Sequence, residues 1–394
     1  MVELLAPAGD LEKLKIAVLY GADAVFIGGH QFSLRARASN FTIEDIKEGC
    51  DFAHRHGCKI HVTTNIIPHN ADLKDLITYL KDLEKAGVDA IICASYYIFQ
   101  TAKTYTKLEC HISTQQSTLN LSAVKVWEDL KADRVVLGRE LSLEQIKYIK
   151  ENAKTEIEVF IHGGMCVAVS GRCMLSNIMT RRDANRGGCA HSCRWNYDLY
   201  DRVHKVNQDG YFAMSSKDLQ AIRMIPALMD IKVDSFKIEG RMKSIHYIAT
   251  VIKTYRMLID EYAKTGKIND FSYYENEIAK AENRQTSIGF LKGLPTKDEQ
   301  LYNSRSEQPT QEFIGIVLEY NKDTKMVKME QRNFFKPFSK LEAFGPQLVS
   351  TKFDIQEIYD ENGVEIEVAR HPKQIVMFKT DLELKPYDMI RLSR

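Results

Sequence analysis

The stretch ELLAPAGDLEKLKIAVLYGADAVFIG, from Glu3 to Gly28, holds one complete unit of the fold. Glu3 to Ala6 is a short apolar run of strand character, and Leu11 to Tyr20 carries apolar residues at helical spacing. Gly21-Ala22-Asp23 then returns the chain to a second apolar, β-branched run, Ala24 to Gly28. The turn after the first run reads Pro7-Ala8-Gly9-Asp10, without the Gly-x-Gly-x-x-Gly pattern that opens a doubly wound nucleotide-binding sheet. Strands and helices alternating without that turn point to a (β/α)8 barrel instead.

The alternation continues outward to about residue 262. Further strands are expected at Lys59 to Thr63, Ala90 to Ala94, Glu109 to Ser113, Arg134 to Leu137, Glu156 to Ile161 and Ser235 to Ile238. Helices are expected at Ile43 to Arg55, Leu73 to Lys85, Ala123 to Leu130, Leu143 to Asn152 and Leu219 to Met229. Eight such units in about 260 residues match the size and order of a TIM-like α/β barrel, whose working face is built from residues just past each strand. Two stretches interrupt the pattern: an insertion at 163–215, where a short loop should follow the seventh strand, and a Gly-, Asn- and Ser-containing linker at 266–311 with some helix. From 312 to 394 the text is strand-like, with runs at Phe313 to Tyr320, Lys325 to Glu330, Leu341 to Phe344, Ile366 to Val368 and Met389 to Leu392. The expected layout is a barrel over 1–265, the linker, and a small C-terminal β-barrel domain over 312–394.

Of the 394 residues, 44% are hydrophobic and 27% charged, the composition of a folded soluble protein rather than a disordered one. Lys and Arg number 54 against 53 Asp and Glu, so the net charge of +1 gives no overall attraction to a polyanion. A nucleic acid would have to be met by a local patch. No signal-peptide pattern opens the chain and no long apolar run occurs, so a cytoplasmic protein with no membrane partner is expected. In that reducing compartment the eight cysteines are thiols or metal ligands rather than disulfides.

Four of them, Cys166, Cys173, Cys189 and Cys193, fall within the insertion with the spacing Cys-x6-Cys-x15-Cys-x3-Cys. Thiolates gathered in an irregular segment select zinc or an iron–sulfur cluster, and this spacing does not decide between the two. The other four, Cys50, Cys58, Cys93 and Cys110, sit on apolar faces and read as core thiols. Around the clustered cysteines stand Arg172, Arg181, Arg182, Arg186 and Arg194, with Asp183 the one acid between Gly163 and Tyr197. Guanidiniums at this density suit phosphate or carboxylate binding, and would also offset the charge of a thiolate-bound group. Trp195 and Tyr197 add aromatic surface beside them.

Other strand ends offer further candidates. Arg139 and Arg241 could anchor an anion, with His162 and Glu239 as acid–base groups; Lys237, Glu239 and Arg241 could equally form a structural ion-pair network. Arg35 and Arg37 are weaker candidates of the same kind. No Gly-x-Ser-x-Gly, His-Glu-x-x-His or P-loop motif occurs. Pairing Cys166 with His162 as a cysteine protease would leave three neighbouring cysteines unexplained.

The segment EVFIHGGMCVAVSGRCMLS, 158–176, resembles the signature of the collagenase-like peptidase family U32, and RDANRGGCAHSCRW, 182–195, its second cysteine block. Leu5-Ala-Pro-Ala-Gly9, Ser113-Thr-Gln115, Ser216-Lys-Asp-Leu219 and Lys237-Ile-Glu-Gly-Arg-Met-Lys-Ser244 match it in order, with Gly164 standing where the signature prefers Ser or Ala. Despite the family name, the resemblance to its tRNA hydroxylation branch implies an iron–sulfur protein that installs a 5-hydroxyl on the wobble uridine of tRNA and requires prephenate. It implies Cys166, Cys173, Cys189 and Cys193 as ligands of a 4Fe–4S cluster, and Arg139, Arg181, Arg182, Arg186, Arg194, Lys237 and Arg241 as contacts to tRNA or prephenate. It also admits a related family subunit as partner. A metal-dependent peptidase and a zinc-stabilised RNA-binding partner protein are the competing readings.

Overall fold

The computed structural model describes residues 2–34, 40–206, 211–281, 284–301 and 312–393, so Arg35 and Arg37 lie outside the described residues. Seven parallel strands pair in chain order: β1 (Glu3–Pro7), β2 (Ala24–Gly28), β3 (Lys59–Thr64), β4 (Ala90–Cys93), β5 (Glu109–Ile112), β6 (Arg134–Val136) and β7 (Glu156–Gly163). Past the hairpin β8 (Tyr200–Asp201) and β9 (His204–Lys205) and the short β10 (Asp218–Gln220), strand β11 (Ser235–Ile238) pairs with both β1 and β7. That double pairing closes the (β/α)8 barrel. Its helices are α1 (Leu11–Leu19), α2 (Ile43–Arg55), α3 (Leu76–Lys85), α4 (Tyr96–Tyr105), α5 (Leu121–Asp129) and α6 (Leu143–Asn152); then, after the insertion's α7 (Leu175–Thr180), α8 (Ile225–Asp230) and α9 (Ile245–Thr265). Side-chain caps start most of them: Asp10, Thr42, Asn120, Ser142 and Ser244 each accept a backbone N–H of the first turn.

The helix expected from Leu219 to Met229 is broken in two. Leu219 and Gln220 pair antiparallel with Gly163 and His162 of β7, and a separate helix starts at Ile225–Pro226, where proline's missing N–H is tolerated. Within the stretch read as a linker, α10 (Phe271–Ala279) packs Tyr274 and Ile278 into the barrel's core, and Arg284 reaches back to Asp218 at 2.7 Å. The C-terminal domain is a curled antiparallel sheet of seven strands, Phe313–Asn321, Met326–Gln331, Lys340–Phe344, Thr351–Asp354, Tyr359–Asp360, Ile375–Lys379 and Met389–Leu392. The expected strand at Ile366 to Val368 is replaced by Ile375–Lys379, which pairs along Met326–Gln331; Ile366 instead bonds the carbonyl of Ile358.

The barrel interior holds the apolar cluster Leu5, Ala24, Phe26 and Ile92, and beside it ion pairs and imidazoles where an ordinary barrel is filled by branched apolar side chains. Arg134 on β6 bonds Glu3 on β1 at 3.2 Å and Glu158 on β7 at 3.1 Å. Because β6 and β1 are not neighbours, this contact crosses the inside of the barrel. The rings of His61 on β3 and His111 on β5 meet there too, 4.7 Å apart. Among the described residues no helix is long and apolar enough to cross a membrane.

Candidate functional site

A cavity of about 500 Å³ occupies the C-terminal mouth of the barrel, with the insertion as its upper wall. The floor is made by single residues from successive strands, among them Phe26, Thr63, Ile92, Val136, Phe160 and Lys237. A chain that places one inward side chain per strand end at the same level builds such a chamber from the alternation of β structure alone.

All four insertion cysteines line this cavity. Their placement begins at Gly163, whose φ of +106° belongs to glycine; a Cβ there would stand 2.3 Å from the Glu239 carbonyl. The chain can therefore pass close under the β11 end and deliver Cys166 to the mouth. Asn185 grips the backbone of Cys173 from both sides, accepting its N–H at 3.4 Å and donating to its carbonyl at 3.2 Å. Ser176 does the same around Cys189, donating to the Gly188 carbonyl at 3.2 Å and accepting from the Ala190 N–H at 3.0 Å. Cys193 lies in the short turn Ser192–Arg194.

All eight cysteines are free thiols. Burial pushes the Cys193 thiol up, and proximity to Cys166 adds to it against the pull of Arg194. Cys166 is raised likewise by burial, with the Ala168 N–H and Arg139 opposing, and Cys173 and Cys189 reinforcing. The four sulfurs thus sit within each other's electrostatic reach, an arrangement in which a bound cationic group would relieve the mutual repulsion of thiolates. Soft donors of this number fit zinc or an iron–sulfur cluster. Among the described residues, no three His, Cys, Asp or Glu side chains are drawn together around a single metal-ion position.

The predicted basic residues divide. Arg139, Arg182 and Arg194 line the cavity, and among the described residues none of the three is paired with a carboxylate. Arg139 bonds the Gly164 carbonyl and lies on the Phe160 ring, 4.5 Å from its centroid. The Nε of Arg182 is buried without a partner. A Cβ at Gly164 would meet the end of the Arg194 side chain at 3.3 Å, a contact that a flexible guanidinium can relax, so Ser or Ala is sterically admissible there. Arg241 also lines the cavity, holding Ser33 at 3.1 Å, Thr63 at 3.3 Å and Asn40 at 2.9 Å. Lys237 forms part of the floor but is committed to Glu158 at 2.7 Å.

Three candidates are corrected. Arg186 is not at the cavity: it forms a two-pronged pair with Asp72 at 2.8 and 2.5 Å and ties the insertion to the loop after β3. Arg181 is exposed at the C-terminal end of α7, outside the cavity lining. His162 is buried outside the cavity against Tyr247 and Tyr255 of α9, its Nδ1 at 3.3 Å from the Tyr255 hydroxyl. A register shift between Lys237 and Ile238 sets Ile238 beside His162, where an unbroken register would set Glu239, and turns the histidine outward. Burial, with a smaller push from Lys243, lowers its pKa to about 3, so it stays neutral. Glu239 remains as a carboxylate on the cavity wall. Sequence reasoning gave no site role to Asn65, or to Gln115 and Glu158 within the quoted motifs; the alternation Glu156-x-Glu158-x-Phe160 was the available sign that Glu158 faces inward.

The family model of peptidase family U32 matches residues 9–301, and that of the U32 C-terminal domain matches 309–391. The chain is 50% identical to tRNA hydroxylation protein P1 of Bacillus subtilis (strain 168), over 100% of this chain and 95% of that protein. It is 34% identical to tRNA hydroxylation protein P of Escherichia coli (strain K12), over 93% and 91% of the two chains. Over 66% of this chain it is 41% identical to a 23S rRNA 5-hydroxycytidine synthase of the same strain, which it covers to 39%.

Proposed function

This chain belongs to peptidase family U32, and from that premise we propose that it is an RNA-modifying enzyme that hydroxylates C5 of a tRNA uridine, the wobble uridine, with a cysteine-held 4Fe–4S cluster and prephenate as co-substrate. Relatives similar over the barrel are named for hydroxylation of tRNA and of ribosomal RNA. The observation that carries the reading is one cavity that joins four free thiols to three guanidiniums without carboxylate partners among the described residues. Converting C5–H to C5–OH needs an oxygen donor and an acceptor for two electrons; a thiolate-bound cluster, when held there, would supply redox or electrophilic capacity that ordinary side chains lack.

The chain's own residues supply the rest. A base inside an RNA structure must leave its stack to enter a cavity of this kind. Phe26 and Phe160 give its ring apolar walls, and Arg182 and Arg194 on the rim side attract the phosphates that follow it. Arg139, its guanidinium carbon over the Phe160 ring, is placed for a carboxylate of the co-substrate. Glu239 is the wall carboxylate that can take the proton released from C5. A peptidase built on the Cys166–His162 pair has no support here, because His162 faces α9.

The test is a visible absorption spectrum with iron, zinc and sulfide analysis on protein purified without oxygen, for wild type and Cys189→Ser. Broad absorption near 400 nm with about four irons per chain, lost in the variant, together with prephenate-dependent 5-hydroxyuridine in tRNA, is the expected result. Colourless protein carrying one zinc would overturn the redox reading and favour a zinc-stabilised RNA-binding partner.

A further inference from the structure

The cavity wall holds two carboxamides, Asn65 and Gln115. A carboxamide presents a donor and an acceptor side by side, the pattern that pairs with the edge of a nucleobase. Asn65 spends its oxygen on the Leu34 N–H at 3.2 Å. Gln115 is 5% exposed and stands just past β5 in the short turn Thr114–Gln116.

That turn is fastened on every side. Thr114 donates to the Leu137 carbonyl at 3.1 Å, Gln116 to the Ala94 carbonyl, and Arg172 of the insertion donates to the Gln115 carbonyl at 2.5 Å. Ser113, 2% exposed, fixes the side chain itself. Its hydroxyl accepts the Gln115 N–H at 3.4 Å and donates to Gln115 Oε1 at 3.4 Å. The oxygen is thereby held on the Ser113 side with one lone pair to spare, and the NH2 group is set beside it.

We propose that Gln115, oriented by Ser113, reads the Watson–Crick edge of the pyrimidine in this cavity and selects uracil over cytosine. The inference rests on the function proposed above. Uracil offers an N3–H donor next to the O4 acceptor, which meets the carboxamide oxygen and NH2 as they stand. Cytosine offers an N3 acceptor next to the N4 amino donor, so the amide would have to reverse. Reversal leaves the buried Ser113 hydroxyl without its acceptor.

The experiment uses the full chain with its cluster and tRNA carrying uridine, 3-methyluridine or cytidine at the modified position. Hydroxylation is followed by mass spectrometry and tRNA affinity is measured separately. Wild type should favour uridine over both alternatives, and Gln115→Ala should lower that preference by roughly 5- to 150-fold, the scale of one two-pronged base contact. tRNA affinity should change by less than about twofold, since phosphate contacts dominate it. Gln115→Glu keeps the shape and the Ser113 bond but loses the donor to O4, and should lose uridine turnover in the same way. Ser113→Ala should raise cytidine use. An active wild type whose preference survives in Gln115→Ala and Gln115→Glu overturns this inference alone. A wild type that binds tRNA and hydroxylates nothing overturns the functional reading and this inference with it.

Discussion

Glu158 is fully buried, and both of its oxygens are taken, by Lys237 at 2.7 Å and Arg134 at 3.1 Å. Burial alone would keep it protonated; Lys237 and then Arg134 outweigh that and hold its pKa below the usual carboxylate range. Lys237 is therefore an ion-pair member that happens to form the cavity floor, and its charge is largely cancelled there. Among the described residues, the cavity-lining guanidiniums without a carboxylate partner are those of Arg139, Arg182 and Arg194. Replacing Glu158 by Gln would leave the buried Lys237 ammonium without its carboxylate, while Arg134 keeps Glu3 and Glu156, and should destabilise the protein by about 3–5 kcal/mol in urea unfolding. Pairing it with Lys237→Met should recover part of the loss. A Glu158→Gln midpoint equal to wild type would mean that water reaches these groups and that the network contributes nothing.

The barrel strands repeat one device at the end opposite the cavity. Asp23, Asp89, Asp133 and Asp234 each stand one residue before a strand and accept the N–H of the second residue of a neighbouring strand, from Leu4, Ile60, Cys110 and Ile157, at 2.7–2.8 Å. Each also meets a helix side chain: Arg256, His54, Lys103 and Lys150 in turn. Two residues earlier comes a left-handed position, Gly21, Gly87, Lys131 or Lys232, that ends the helix. Asp133→Ala strips a partner from both the Cys110 N–H and Lys103 and should cost about 1–3 kcal/mol, with Asp133→Asn milder because it keeps an acceptor. Equal melting of the two variants would argue against the backbone bond as the cause. This repeated joint is why the eight strands could be read within two residues of their ends: the punctuation is local. The insertion offered no such punctuation. Of its cysteines, Cys173 is held by Asn185 and Cys189 by Ser176, each through a pair of side-chain-to-backbone bonds that carry no periodicity. The composition showed that thiols and guanidiniums gather there, but not that Arg186 is spent on Asp72. Nor could the register shift that turns His162 away from the cavity be read, since it arises only when β7 meets β11, far away in the chain.

At the scale of the whole molecule, the C-terminal sheet is fastened to the barrel by buried polar contacts. Tyr20 donates to the Tyr387 carbonyl at 2.8 Å, and His246 stacks on Phe313 at 5.2 Å. Arg391, fully buried, bridges Glu277 of α10 and Glu342 of the sheet, each at 2.9 Å, and Lys280 also reaches Glu342 at 2.8 Å. Burial of Glu342 works against its charge, but Arg391 and Lys280 bring its pKa down to about 2. A carboxyl depressed in the folded state stabilises fully above its ordinary pKa near 4.5, and that contribution fades as pH falls toward 2. His246 behaves differently: burial and then Arg391 lower it to about 3, so stability begins to drop below its ordinary pKa of 6.5, as the unfolded chain takes up the proton. The two windows separate the causes. Between pH 6.5 and 4.5 wild type and Glu342→Gln should lose stability in parallel; below 4.5 the gap between them, roughly 3 kcal/mol at neutral pH on the depressed-pKa argument, should close. Thermal unfolding of both proteins from pH 7 to 3 measures this. A gap that stays constant to pH 3 would show that the Glu342 carboxylate does not fasten the sheet through its charge.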